Sequence, residues 1–220
     1  MEHSDAFYFE DICGEDGPGA AKVNSGIIDR KHEPVFVTTD DEGIETVYRF
    51  LEGHGFTEGQ RAQQGGTLSE PVTYDIRESR ILVSGGGGVA GSFGKLQTLA
   101  QSLGARVSSS RRLVDGGIAP RRIQVGQSGK RVSCDLYIAI GIYGAFQHVI
   151  GINKVKHLIV VNTDALAPIC SLADIVVQGD AIEFIEKLTD RINSAASGGC
   201  TENIAAESGA DSAGEEAGSL

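Results

Sequence analysis

The residues best suited to chemistry lie in one stretch, 124–162, and in a few positions around it. Two glycine-punctuated loops stand in that stretch. One is Val125-Gly126-Gln127-Ser128-Gly129, the other Gly141-Ile142-Tyr143-Gly144-Ala145-Phe146-Gln147-His148. Glycine lets backbone approach a ligand closely, and a hydroxyl, an amide and an imidazole supply hydrogen bonds along its edge. Ser110 and Arg111 follow a run of small residues and add a hydroxyl and a cation. Asn162 and Asp180 each follow an apolar run, and Ser84-Gly85-Gly86-Gly87-Gly88 forms a third loop of small residues. Such a set holds a polar ligand that carries an anion. It is not a set for breaking bonds: no nucleophile and base stand together with a third supporting group, and no Cys/His/Asp/Glu cluster has metal-ligand spacing.

The elements around these residues alternate. The apolar run 136–142 is too short for a helix and rich in isoleucine, so it is predicted to be a buried strand, and 157–162 is another. The second loop opens an amphipathic segment that ends near Gly151. Strand, glycine loop and helix start together let backbone N–H groups and a helix N-terminus meet an anion. Strands are also predicted at 81–83, 105–109 and 175–177. Helices are predicted at 96–103, with Leu96, Leu99, Ala100 and Leu103 inward, and at 182–196, with Ile182, Ile185, Leu188 and Ile192 on one stripe. The alternation gives an α/β domain, three-layered and Rossmann-like, with a mostly parallel sheet. Ligands of such sheets bind at the carboxyl ends of strands, where Gln147, His148 and Asn162 fall.

Charge divides the 220 residues. The net charge is −11, yet residues 1–20 hold six acidic residues and no Lys or Arg, and residues 201–220 hold five and none. Between 80 and 191, Lys and Arg outnumber Asp and Glu by five. A mildly basic unit between acidic ends suits an anionic small ligand. No basic run with interleaved aromatics appears, which argues against nucleic acid, and no apolar run approaches a membrane span. The four cysteines are scattered and fit a reducing compartment. The expected organisation is an acidic disordered N-terminus at 1–20, a short βα remnant and linker at 21–79, a ligand-binding domain at 80–196 and a disordered acidic tail at 197–220. The βα unit rests on a strand at 34–39 and a helix at 44–53 with Gly53 past its end.

The ordered motifs resemble electron transfer flavoprotein alpha subunits. Leu136-Tyr137, then Gly141-Ile142-Tyr143-Gly144-Ala145-Phe146-Gln147-His148, Gly151 and Asn162 are similar to the family's Leu-Tyr…Gly-Ile-Ser-Gly-Ala-Ile-Gln-His…Gly…Asn. Ser110-Arg111 with Val114-Asp115 and Gly117 matches its Ser-Arg…Val-Asp-x-Gly. Gln124-Val125-Gly126-Gln127-Ser128-Gly129-Lys130 matches its Gln-Val-Gly-Gln-Thr-Gly-Lys. The likeness covers about half the chain, 80 to about 192. It implies a DHS-like NAD/FAD-binding domain with non-covalently bound FAD, a beta-type subunit as partner, flavin dehydrogenases as electron donors, and a cytoplasmic electron carrier rather than a substrate-converting enzyme.

The same resemblance distributes roles. It places Arg111 beside the flavin ring, where a fixed cation favours the reduced forms. It places the Ser128 hydroxyl at the ring edge near N5, and His148 as a donor to the pyrimidine carbonyl O2. Gln127 and the backbone of Val125 and Gly126 wrap the cofactor, with Gly144, Ala145, Phe146 and Gln147 beside them. Asn162 and Asp180 belong to the adenosine end. Tyr143 replaces the usual Ser and either stacks on the cofactor or crowds it. Arg112 faces solvent or buttresses its neighbour. Three departures matter. About 75 residues stand where the family has a whole N-terminal domain. Gly87 stands where it usually has Arg. The loop after Gly87 is about two residues short. The expected consequence is weaker FAD binding, tightened by Gly87→Arg. A second expectation is a degenerate module that binds FAD or AMP for assembly without electron transfer.

Overall fold

The computed structural model describes residues 33–57 and 74–198. The expectations for 1–20, for the tail beyond 198 and for most of the linker lie outside the described residues. Six strands form one sheet: β1 (Val35–Thr38), β2 (Ile81–Gly85), β3 (Arg106–Ser109), β4 (Leu136–Ile140), β5 (His157–Asn162) and β6 (Ile175–Gln178). Their order is β1-β6-β5-β4-β2-β3 and every pairing is parallel. β2 and β4 read ILVSG and LYIAI, apolar without alternation, the pattern of strands covered on both faces. Both are buried along their whole length.

The helices are α1 (Asp41–Gly53), α2 (Leu96–Ser102), α3 (Arg111–Asp115), α4 (Phe146–Val149) and α5 (Ala181–Gly198). α1 and α2 both pack on α5, burying Val47, Leu51, Leu99, Leu188 and Ile192 completely. α1 starts three residues before the predicted point because the Asp40 carboxylate accepts a hydrogen bond from the Gly43 N–H at 2.8 Å and caps it. It also includes Gly53, and the positive φ falls at Gly55 instead.

The short βα unit seen in β1 and α1 joins the same sheet as the strands that follow. β1 is the edge strand beside β6, with Val35 opposite Ile175 and Thr38 opposite Gln178. α5 ties the unit down. Arg191 Nε donates to Glu45 at 2.7 Å while its guanidinium sits 3.7 Å from the Tyr48 ring centre. Thr39 Oγ1 donates to Glu183 at 3.0 Å, and Lys187 Nζ donates to the Thr39 carbonyl at 2.9 Å. Nothing local in the sequence announces a pairing between strands this far apart.

The order of strands positions the site. From β2 the chain goes to β3 on one side, then crosses to β4 on the other side of β2 and continues outward through β5 and β6. Right-handed crossovers in opposite directions lie on opposite faces, so a crevice opens between the carboxyl ends of β2 and β4.

Candidate functional site

The loops after β2 and β4 meet at that crevice and are laced together. The Gly86 N–H donates to the Ile140 carbonyl at 2.9 Å and the Gly88 N–H to the Gly141 carbonyl at 3.0 Å. A Cβ on Gly86 would collide with the Gly141 carbonyl, so only glycine permits the approach. The small residues of 84–88 are expected to let backbone approach a ligand closely. The structure turns the Gly86 and Gly88 N–H groups onto the neighbouring loop. The helix expected to open at the second loop is also slight: α4 has four residues and runs into a 3-10 turn, Ile150–Ile152. So short a helix offers little dipole to an anion. Gly144, at φ 94°, bends the second loop around Ile169.

A cleft of about 750 Å³ crosses the carboxyl ends of β3, β2, β4, β5 and β6. Five adjacent strands span roughly 19 Å. Its wall brings together Gly87, Ser110, Arg111, Val125, Gly126, Gln127, Ser128, Tyr143, Gly144, Ala145, Gln147, His148, Asn162 and Asp180. Phe146, also expected there, is 48% exposed and stands outside the wall.

At the β3 end, Ser110 is buried and its Oγ has no hydrogen-bond partner. Arg111 Nε donates to Asp115 at 3.0 Å, one helical turn on, and both side chains are exposed. Gln124 Nε2 donates to Ser128 Oγ at 3.0 Å, and the Gln127 N–H donates to the Gln147 carbonyl at 2.6 Å. Tyr143 is 64% exposed at the rim. At the β6 end, Asn162 Nδ2 donates to the Ile142 carbonyl at 3.0 Å and its Oδ1 accepts from the Asp164 N–H at 3.1 Å. Asp180 caps α5: its Oδ1 accepts from the N–H groups of Ile182 at 2.8 Å and Glu183 at 3.0 Å.

His148 is buried, with Nε2 3.1 Å from the Tyr137 hydroxyl and Nδ1 shut off from solvent without a hydrogen-bond partner. Burial pushes its pKa down to about 4, with the Val125 backbone opposing. The ring is therefore neutral at pH 7. Burial also pushes the Tyr137 hydroxyl well above its ordinary range, with Ser84 and Ser108 opposing. Tyr137 remains a neutral donor or acceptor to His148.

Gln124 and Arg112 line the cleft and Tyr137 backs it through His148, and none of the three was singled out for the site from sequence. Tyr137 lies inside an apolar strand, where a tyrosine signals only core. The side chain of Arg112 lies against Gly87 on the cleft wall. Among the described residues no group of three His, Cys, Asp or Glu stands together to hold a metal, and no helix is long and apolar enough to cross a membrane. Cys134 and Cys170 are buried and unbridged, and burial pushes their thiols up to about 12 and about 11. They are not nucleophiles at neutral pH.

Residues 75–153 match the family described as the electron transfer flavoprotein FAD-binding domain. The electron transfer flavoprotein subunit alpha of Mycobacterium leprae is 48% identical over 120 residues, which are 54% of this chain and 38% of that protein. The one from Paracoccus denitrificans is 42% identical over 127 residues, 57% of this chain and 41% of that protein. A probable mitochondrial alpha subunit of Caenorhabditis elegans is 42% identical over 127 residues, 57% and 38% of the two chains. The chain thus spans about two fifths of the length of these relatives. The resemblance drawn from the motifs holds across the matched residues, 75–153. Among solved structures, a Sir2 homologue in complex with ADP-ribose aligns over 56% of this chain and 96% of that one, at 13% identity and a TM-score of 0.37, too slight a likeness to argue from.

Proposed function

We propose that this chain is the FAD-binding, alpha-type subunit of an electron transfer flavoprotein. In this reading it pairs with a beta-type subunit and relays electrons from flavin dehydrogenases to a redox acceptor. Its compartment is the cytoplasm, where buried thiols such as Cys134 and Cys170 stay reduced. The observation that carries the reading is the cleft itself. It lies where two glycine loops meet at the switch point of a parallel sheet, and most of its wall falls within the matched stretch.

The residues fit a dinucleotide. The cleft volume is in the range of pockets that bury most of a ligand, and its length across five strand ends suits an elongated one. Ser110 Oγ is a buried hydroxyl that lacks a partner and gains one from a ligand in the cleft. Asp180 uses one carboxylate oxygen to cap α5, leaving the other to accept from a ribose hydroxyl.

Bound FAD supplies the redox chemistry, taking up electrons and passing them on. The protein's part is to position and to bias. Arg111 is a fixed cation on the wall, and a cation beside a group that gains negative charge raises its reduction potential. Asp115 orients that guanidinium and partly offsets its charge. Gln124 holds the Ser128 hydroxyl in place, and Tyr137 holds a neutral His148.

The test is to co-express the full chain with a beta-type subunit and record the visible spectrum of the purified complex. The expected result is a flavin spectrum with about one FAD per complex. A colourless complex that takes up no added FAD overturns the proposal.

A further inference from the structure

We infer that Arg112, lying over Gly87, supplies the positive charge that holds the diphosphate of the bound dinucleotide. The inference rests on the FAD reading above. A Cβ built on Gly87 would lie 2.7 Å from Arg112 Cδ, 2.8 Å from Nε and 3.2 Å from Cζ. The inner end of the guanidinium therefore crosses the glycine loop through space that any larger residue at 87 would take.

The two neighbouring arginines differ in what they already hold. Arg111 is paired with Asp115 at 3.0 Å. Among the described residues Arg112 has no carboxylate at ion-pair distance, although it lines the cleft. A guanidinium with unused donors at the mouth of a glycine loop is a bidentate site for phosphate oxygens.

The backbone leaves this duty to a side chain. The Gly86 and Gly88 N–H groups are committed to the loop after β4. α4 is a single turn. The long helix at the cleft, α5, has its first N–H groups capped by the Asp180 carboxylate, which repels an anion. His148 is neutral. A dinucleotide diphosphate carries about two negative charges, and the cations on the wall are Arg111 and Arg112. The arginine that related chains usually carry at 87 is thus replaced from 112. The sequence-based expectation that Gly87→Arg tightens FAD is turned around, because that substitution competes with Arg112 for one space.

The experiment measures FAD dissociation by flavin fluorescence on the full chain with its beta-type partner, at low and high salt. The proteins are wild type, Arg112→Ala, Arg112→Lys, Gly87→Arg and the double variant Gly87→Arg/Arg112→Ala. Arg112→Ala is expected to weaken binding roughly 10- to 100-fold and to flatten its salt dependence, with Arg112→Lys in between. Gly87→Arg alone is expected to bind no more tightly than wild type, and the double variant to return to within a few-fold of it. The melting temperature of unliganded Arg112→Ala should match wild type. Its bound flavin should keep a reduction potential close to wild type, whereas Arg111→Ala lowers it. Arg112→Ala that binds FAD as tightly as wild type overturns the inference. So does Gly87→Arg that tightens binding with Arg112 in place, or a weakened Arg112→Ala whose unliganded form also melts lower. If wild type itself binds no FAD, the functional reading fails together with the inference.

Discussion

The two ends of the sheet are built on opposite terms. At the amino ends of the strands, charges close on one another. Asp135 meets Lys156 at 2.7 Å and Arg80 at 3.3 Å. Asp174, nearly buried, accepts from the Leu158 N–H at 2.6 Å and gives its own N–H back to the Leu158 carbonyl at 2.8 Å. The rings of Phe50, His54, Phe56 and His157 pack on each other there, with Arg80 over Phe56. At the carboxyl ends, glycine loops meet instead, and polar groups are left open: Ser110 Oγ, His148 Nδ1 and the Arg112 guanidinium. Buried polar atoms without partners cost stability, and most of those among the described residues, Thr189 Oγ1 on α5 excepted, gather at this end, which suits a ligand site. Changes at the carboxyl ends should therefore reach a bound ligand, and changes at the amino ends only the fold.

The largest effect is expected from Gly144→Ala at the carboxyl end. Its φ of 94° is strained for alanine, and the new Cβ would lie 2.5 Å from Ile169 Cβ and 2.6 Å from the Ile169 nitrogen. Backbone cannot swing aside as a side-chain tip can. The expected cost is about 2–4 kcal/mol, or roughly 5–15 °C in melting temperature, together with loss of bound FAD. Thermal denaturation and flavin content measure both. A variant that melts normally and keeps its FAD would show that the loop yields, and that the carboxyl end is less tightly specified than its glycines suggest.

His148 gives the next effect, and pH exposes it. Its folded pKa is about 4 against an ordinary 6.5. Between those values the unfolded chain binds a proton that the folded chain refuses. Stability from this residue is therefore complete above pH 6.5 and is lost as pH falls towards 4, by up to about 3 kcal/mol. His148→Gln cannot lose it. The gap in melting temperature between wild type and His148→Gln should narrow steadily from pH 7 to pH 4. A constant gap across that range would mean that the imidazole is not held neutral, and the site would then carry a third cation beside the two arginines.

Much of the fold was legible because β2, β4 and β5 are unbroken apolar runs and α5 shows a clean stripe, patterns that follow from burial on two faces or one. Most of the residues expected at the site line one cleft because glycine loops and polar strand ends are local features that fall together at the carboxyl edge of a parallel sheet. What was illegible is what depends on distant partners. β1 was found as a strand, but its place beside β6 depends on contacts such as Arg191 with Glu45 that no local pattern records. That the Gly86 and Gly88 N–H groups are taken by the loop after β4 is not visible in the sequence, because nothing local shows which loop stands opposite. Tyr137 read as core because its hydroxyl's partner, His148, sits past the following loop. Arg112 read as solvent-facing or as a buttress because its meaning depends on an absent side chain, the one Gly87 lacks.

The smallest effect sharpens the comparison from the other end. Asp135→Asn removes the charge shared by Lys156 and Arg80 at the amino ends of the strands. These contacts, Lys156 foremost, hold the Asp135 carboxyl below its ordinary range. Yet the partners are largely exposed, at 69% for Lys156 and 54% for Arg80. Exposed pairs of this kind contribute about 0–1 kcal/mol, less as salt rises. Because the folded pKa is lowered, what they contribute is present above the ordinary carboxylate pKa and is lost as pH falls below it. Asparagine keeps the size of the side chain, so packing is undisturbed. The melting temperature at pH 7 should fall by no more than about 2–4 °C, and the difference should shrink in high salt. FAD affinity should not change at all, since position 135 sits at the end of β4 away from the cleft. An altered FAD affinity with a normal melting temperature would break the comparison: charge at the amino ends would then reach the ligand along β4, whose far end carries Gly141 and the loop laced to Gly86.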